Sequence, residues 1–260
     1  DGEGGLSKRS VQYHHRILSQ ALKHAVYPYK LISKNPCRNV NAPSPKQSDP
    51  TALSLEEANK LLDNLKSNYP LYTLIYTALY TGLRRGELLA LRWKDIDLDN
   101  NRLFVRRSVN EIRGEGLVYK EPKNSISKRT VDFDEDVGKI LKFHSKKQFK
   151  YYKQEEIVFL RKDGSIIRPD YVTKRFKKEV KKIGKEKCRF HDLRHTHASW
   201  LLQLGENPKV IQERLGHHDV SITLNIYSHV IPSMQKSAVK KLKNKKNQSD
   251  GYKMATKLIE

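Results

Sequence analysis

Residues 191–216 read HDLRHTHASWLLQLGENPKVIQERLG. Leu193, His197, Trp200, Leu201 and Leu204 recur at helical spacing up to Gly205, which predicts one helix over 191–204 with that stripe turned inward. Gly205 is free to take the left-handed turn that ends helices. Asn207 then supplies a cap and Pro208 a first helical position, and Val210, Ile211 and Leu215 mark a second helix that stops at Gly216. His191 and Arg194 stand three apart, about 60° from each other around the helix and clear of the apolar stripe. Two hydrogen-bonding groups therefore converge on one flank. His197, on the stripe, is expected in the core, and His195 at the surface or in a supporting place.

Working outward, Ser54 and Glu57 have capping-box spacing, and Leu55, Ala58, Leu61, Leu62 and Leu65 follow on one helical face. A second helix over about 70–81 should stop at Gly82, and a short one should run from about Arg84 to Leu91. Runs rich in β-branched and aromatic residues at about 102–109, 116–121 and 128–133 predict a small antiparallel sheet. From Asp134 the pattern is helical again, broken by a short extended piece at 157–160 and a turn at Asp163-Gly164. The helix from Asp170 carries Val172, Phe176, Val180 and Ile183 on one stripe, and Lys174, Arg175, Lys177 and Lys178 lie around the rest. That basic flank is suited to lie along phosphates. Beyond Gly216, Ile222, Ile226 and Val230 face inward on a last helix, with Tyr227 at the border of the apolar face. The fold class expected is mostly α with a small three-stranded antiparallel sheet, α+β.

Residues 8–27 form an amphipathic helix ending at Pro28, and prolines 36, 43, 45 and 50 mark an extended linker. A boundary near residue 46 gives a helical piece over 1–45, a main domain over 46–232 and a tail over 233–260. In the tail, Ile231, Met234, Ala238, Val239 and Leu242 share a helical spacing, compatible with packing on a neighbouring copy or on its own domain.

Fifty-one Lys and Arg against 29 Asp and Glu leave a formal charge of +22, and so large an excess of one sign calls for an anionic partner. Residues 141–187 concentrate it, with 16 basic against 6 acidic residues, and six further lysines fall between Lys236 and Lys246. Nucleic acid leads. No run of about 18 apolar residues and no signal-peptide pattern is present, so a soluble, cytoplasmic protein without membrane contact is expected. Cys37 and Cys188 are the only cysteines, which suggests neither a disulfide framework nor a Cys-x-x-Cys metal site. Neither metal nor cofactor is expected. A zinc site from Cys188, His191, His195 and His197 is a weaker alternative, because His197 faces the core. A non-catalytic helix-turn-helix regulator built on Val210–Tyr227 is another, but it leaves Arg84 and Arg194 without a role.

A His-x-x-Arg pair or a half-buried tyrosine alone is usually structural. In combination the odds change. Thr81-Gly82-Leu83-Arg84-Arg85-Gly86-Glu87, Pro122-Lys123-Asn124, His191-Asp192-Leu193-Arg194, Leu215-Gly216-His217 and Ile226-Tyr227-Ser228-His229-Val230 follow in one order. Over roughly residues 50–232 this resembles the catalytic domain of tyrosine recombinases of the phage and conjugative-element integrase type. The resemblance implies that Arg84, Lys123, His191, Arg194 and His217 are catalytic, that Tyr227 is the nucleophile, and that Glu87 orients the site. Lys123 rests on the Pro-Lys-Asn match, since Lys120 and Lys128 flank the same strands. Arg85, at the variable position, joins Lys128, Lys174, Arg175, Lys177 and Lys178 as candidate DNA contacts.

The resemblance further implies double-stranded DNA as partner, four protomers acting on two duplexes, and an accessory excision factor. A type IB topoisomerase would share the tyrosine, arginines and histidine, and it stands as an alternative. Family members of this kind usually carry a complete helical core-binding domain ahead of the catalytic one. Residues 1–45 match only its end, so upstream residues are expected to be missing from this chain.

Overall fold

The chain divides into two compact units, residues 1–49 and 50–260. The computed structural model describes residues 5–44, 51–121, 128–151 (149–151 by backbone alone), 156–161 and 163–216, with Val239 and Lys243 beyond them. In the first unit, Ser7 caps α1 (Lys8–Val26) by accepting from Ser10 N. The stretch expected to be wholly extended instead begins with a 3-10 turn, Pro36–Asn39, against α1. Asn35 explains the turn: its amide donates to Ser19 O at 2.9 Å while its carbonyl oxygen accepts from Cys37 N at 3.0 Å.

The second unit starts at α2 (Leu55–Leu65), and both bonds of its capping box are made: Ser54 N donates to Glu57 Oε2 at 2.9 Å, and Glu57 N to Ser54 Oγ at 3.2 Å. α3 (Tyr69–Thr81) is the central helix and contacts α2, α5 (Glu135–Tyr151) and α7 (Asp192–Leu204). Its buried Thr73, Thr77 and Thr81 donate to carbonyls four residues back, at 2.9, 2.8 and 2.5 Å, so their hydroxyls enter the core satisfied. Gly82, at φ +66°, ends α3. A short α4 (Arg85–Leu89) follows, and α6 (Pro169–Lys182) buries Val172, Phe176 and Val180 as its spacing predicts. Finally α8 (Pro208–Leu215) packs on α7 through Ala198, Leu202, Ile211 and Leu215.

The sheet differs in arrangement from the expectation. The run 102–109 splits into β2 (Arg102–Val105) and β3 (Ser108–Ile112). A three-stranded antiparallel sheet joins β1 (Ile96–Asp97), β2 and β5 (Arg129–Asp132) in that order, while β3 pairs with β4 (Gly116–Lys120) as a separate hairpin. Arg106 and Arg107 break the run. Arg106 reaches buried Asp95 at 3.6 Å, and Arg107 Nε donates to Ala90 O at 2.7 Å with its guanidinium over the Tyr119 ring. The two arginines are anchored to different partners, and the strand turns out of its first sheet between them.

Candidate active site

Gly82 is where the site begins. A Cβ there would lie 2.5 Å from Leu215 Cδ2 and 2.8 Å from His197 Cδ2, so only glycine lets the end of α3 meet α7 and α8 this closely. Arg84 precedes α4, and its backbone N–H donates to Glu87 Oε2 at 2.8 Å. The same carboxylate accepts from Arg84 Nη1 through Oε1 at 2.8 Å, so capping the helix also aims the guanidinium.

Arg194 arrives from α7, more than a hundred residues later, and is almost wholly buried. Its Nη1 donates to Gly82 O at 2.8 Å and its Nη2 to Leu215 O. Arg84 Nη2 donates to the next carbonyl, Gly216 O, at 2.8 Å. Two guanidinium groups distant in sequence therefore sit side by side at the C-terminal end of α8, where carbonyls lack intrahelical partners and the helix dipole is negative.

Charge in this cluster is unbalanced. Burial alone would raise the Glu87 carboxyl, but hydrogen bonding and charge from Arg129, then charge from Arg84 and Arg194, bring it down to about 2. Burial and then the Arg84 charge push the Arg194 guanidinium well below its ordinary value, with Glu87 offsetting part of this. An arriving anion relieves such a group. His191 stands immediately before α7 and keeps surface exposure, yet surrounding protein desolvates its ring and the charges of His195 and Arg194 oppose protonation. Its pKa is held down to about 4, so the imidazole is neutral at pH 7.

A cleft of about 1160 Å³ opens beside these groups, walled by the β3–β4 hairpin and the start of α6, with Arg84, Arg85, Arg168, Lys174, Arg189 and His191 on its lining. Arg85 is fixed there by Thr173 Oγ1, and Arg168 is paired with Glu111. Lys177 and Lys178 are exposed on α6 but do not line the cleft. Arg175 faces a different groove, with Arg161 and Tyr171, and leans toward buried Glu179 at 3.9 Å. Adjacent helical positions diverge by about 100°, and here Lys174 falls on the cleft side of α6 while Arg175 falls on the other groove. Lys128 lies at a second basic cleft and is paired with Glu121 at 3.0 Å.

His197 is buried with both ring nitrogens engaged, Nδ1 with Leu79 O at 2.8 Å and Nε2 with Arg214 Nε at 2.9 Å. A packed core histidine was expected, and these bonds leave it no lone pair for zinc. His195 packs edge-on against His191, with ring centroids 5.0 Å apart. Lys123, His217 and Tyr227 lie outside the described residues, as does the proposed second helix of the helix-turn-helix.

Arg129, Arg168 and Arg189 escaped the sequence reading. For Arg129 a signal existed: the alternation Arg129, Val131, Phe133 puts the arginine on the inward face of its strand.

Comparison with known proteins converges on one group. The model of the phage integrase family matches residues 51–234. A tyrosine recombinase XerC-like protein of Caldanaerobacter subterraneus subsp. tengcongensis is 32% identical, over 92% of this chain and 66% of that relative. The ICEBs1 integrase of Bacillus subtilis is also 32% identical, over 92% of this chain and 67% of its own length. The chain thus spans about two thirds of the length of these relatives. Among solved structures, the Tn1549 transposon integrase in complex with circular intermediate DNA superposes with a TM-score of 0.78 at 25% identity, covering 92% of this chain and 82% of that one. A lambda integrase dimer bound to a core site gives 0.61 at 19% identity, over 84% and 59%, and shows likeness of fold alone. The family match over most of the second unit, where Arg84 and Arg194 meet, places this chain in the phage integrase family.

Proposed function

We propose that this chain carries the catalytic part of a site-specific DNA recombinase that cuts and rejoins duplex DNA through a covalent bond to Tyr227. The observation that carries the reading is the meeting of Arg84 and Arg194 on consecutive carbonyls, beside a neutral His191 and a basic cleft. A phenol attacking a phosphodiester builds negative charge on the nonbridging oxygens, and two guanidinium groups supply charge-assisted donors to it. His191 takes the tyrosine proton, His217 adds a hydrogen bond to the phosphate, and Lys123 protonates the departing 5′ oxygen. Each proton transfer is worth about 10²–10⁴ in rate.

In this step a bond forms between the Tyr227 oxygen and phosphorus while the bond from phosphorus to the 5′ oxygen breaks. A 3′-phosphotyrosyl enzyme and a free 5′ hydroxyl result. A 5′ hydroxyl of a second duplex then reverses the step on new DNA, without ATP. The relatives suggest the setting: an integrase of ICEBs1, and an integrase solved with transposon right end DNA. By extension this chain integrates and excises a mobile element, acting within the bacterial nucleoid as four protomers on two attachment or end sites, with an accessory factor favouring excision. Residues 1–45 belong to a helical core-binding domain.

The test is capture. The protein is incubated with a pool of nicked duplexes of randomised sequence, covalent species are isolated under denaturing conditions, and the DNA is sequenced at the cut. Enrichment of one core sequence joined to Tyr227 is expected, and Tyr227→Phe should abolish the adduct while leaving DNA affinity nearly intact. An undiminished adduct in Tyr227→Phe overturns the assignment. Relaxed circles without recombinant junctions from two-site plasmids would favour a topoisomerase instead.

A further inference from the structure

The last three carbonyls around the end of α8 each accept from a different arginine. Arg194 takes Leu215 O, Arg84 takes Gly216 O at 2.8 Å, and Arg129 Nε takes Arg214 O at 2.7 Å. The first two are assigned to the phosphate in the recombinase reading. Arg129 has no such place, and its geometry is of another kind. Its Nη1 donates to Glu87 Oε1 at 3.0 Å and its Nη2 to Glu87 Oε2 at 2.9 Å, a two-pronged grip on both carboxylate oxygens. Its side chain is only 6% exposed, against 37% for Arg84.

All three kinds of guanidinium nitrogen on Arg129 are thus spent on the protein. Gly216 shows how close the fit is: a Cβ there would lie 3.1 Å from both Cδ and Nη1 of Arg129, and the glycine itself sits at φ +64°. One buried carboxylate therefore serves two arginines with different duties. Glu87 Oε1 accepts from Arg84 and Arg129 together. Were Arg129 absent, the lone pairs it occupies on both oxygens of Glu87 would open to the Arg84 guanidinium and draw it inward into a fork of its own, away from the cleft. With Arg129 in place, Arg84 Nη2 goes to the α8 carbonyl instead.

We propose that Arg129 is a positioning residue for DNA cleavage: it occupies Glu87 and the end of α8 so that Arg84 stays turned toward the scissile phosphate. The inference rests on the recombinase reading. It also fixes the charge of the site, since three guanidinium groups against one carboxylate leave an excess of two positive charges, matching the doubly charged phosphorus reached when a phenolate adds to a phosphodiester. Arg129 further anchors the turn that leads directly into His217.

The experiment uses the full chain and the nicked duplex recovered by covalent capture, measuring single-turnover adduct formation at saturating protein, DNA affinity, and thermal melting. Arg129→Gln should slow adduct formation about 100-fold, the scale of an ångström's misplacement of a catalytic group, with DNA affinity changed less than about threefold. Arg129→Lys, which keeps the charge without the two-pronged grip, should recover part of the rate. Because Arg129 acts through Glu87, the double variant Arg129→Gln with Glu87→Gln should be no slower than the slower single one. The double variant removes both members of the Arg129–Glu87 pair, so the carboxylate is not left buried without Arg129, and it serves if Arg129→Gln does not fold. A folded Arg129→Gln that cleaves within twofold of the parent overturns the positioning role, and so does a double variant slower by the product of both single effects. Failure of the parent chain itself to form an adduct with any duplex would overturn the recombinase reading instead.

Discussion

Among the described residues, arginines surround a buried carboxylate at Asp95 and at Glu87, and the two clusters are spent differently. At Asp95, Arg92 makes a two-pronged contact through Nε at 2.7 Å and Nη2 at 3.2 Å, and its Nη1 goes to Glu156 at 3.1 Å. Lys94 joins Glu156 at 3.0 Å, Arg106 reaches Asp95 at 3.6 Å, and Arg92 is only 18% exposed. At Glu87 the two-pronged contact belongs to Arg129, and Arg84 gives the carboxylate a single side-chain nitrogen. The first cluster sets three cations against two carboxylates, whereas the second gathers three guanidinium groups around one carboxylate, which hydrogen-bonds Arg84 and Arg129. The first latches a turn and the second keeps charge in reserve for an anion.

Exchanging arginine for lysine in both clusters should break that comparison most sharply. Arg84→Lys keeps the charge but cannot bridge Glu87 and Gly216 O together, and adduct formation should fall by about 10³-fold, the upper range for an electrostatic donor. Arg92→Lys should leave the single-turnover rate of the folded fraction unchanged. Equal losses in the two variants would show that the clusters do not differ in role.

Stability should order the other way. Asp95→Asn removes the partner of a largely buried guanidinium and should cost on the order of 3 kcal/mol in denaturant unfolding while leaving cleavage by the folded fraction intact. Acid should attack the Glu87 region in two stages. His191 and His197, held down to about 4 and about 3, are neutral in the fold, so their contribution is complete above pH 6.5 and is lost as pH falls through those values. Glu87, at about 2, contributes fully above pH 4.5 and loses that contribution as pH falls toward 2. Melting temperature followed from pH 7 to 3 should therefore decline from about 6.5, and His197→Gln should flatten the first part of the decline. A flat parental profile above pH 4.5 would contradict the histidine assignments.

The smallest effect is expected at the cleft rim. Lys174→Gln should weaken DNA binding alike across sequences and reduce the salt slope of the affinity by about 1, without altering the rate at saturation. Arg175→Gln should not change that slope, because Arg175 faces another groove.

Much was legible in the sequence because it is local. The Ser54–Glu57 capping box, the stops at Gly82, Gly205 and Gly216, the inward stripe of α6 and the burial of His197 all follow from periodicity and backbone chemistry within a few residues of each other. The ordered motifs brought Arg84, Glu87, His191 and Arg194 into consideration together, although no local rule states that they touch. Tertiary structure decided the rest. It split the strand at Arg106-Arg107, turned Arg175 from the cleft, and made Arg129 the third arginine at the end of α8. Periods of 2 and 3.6 specify which face of an element a side chain occupies. They do not specify which carboxylate or carbonyl, 42 or 85 residues away, meets it there, because that depends on how separately formed elements close around a shared core.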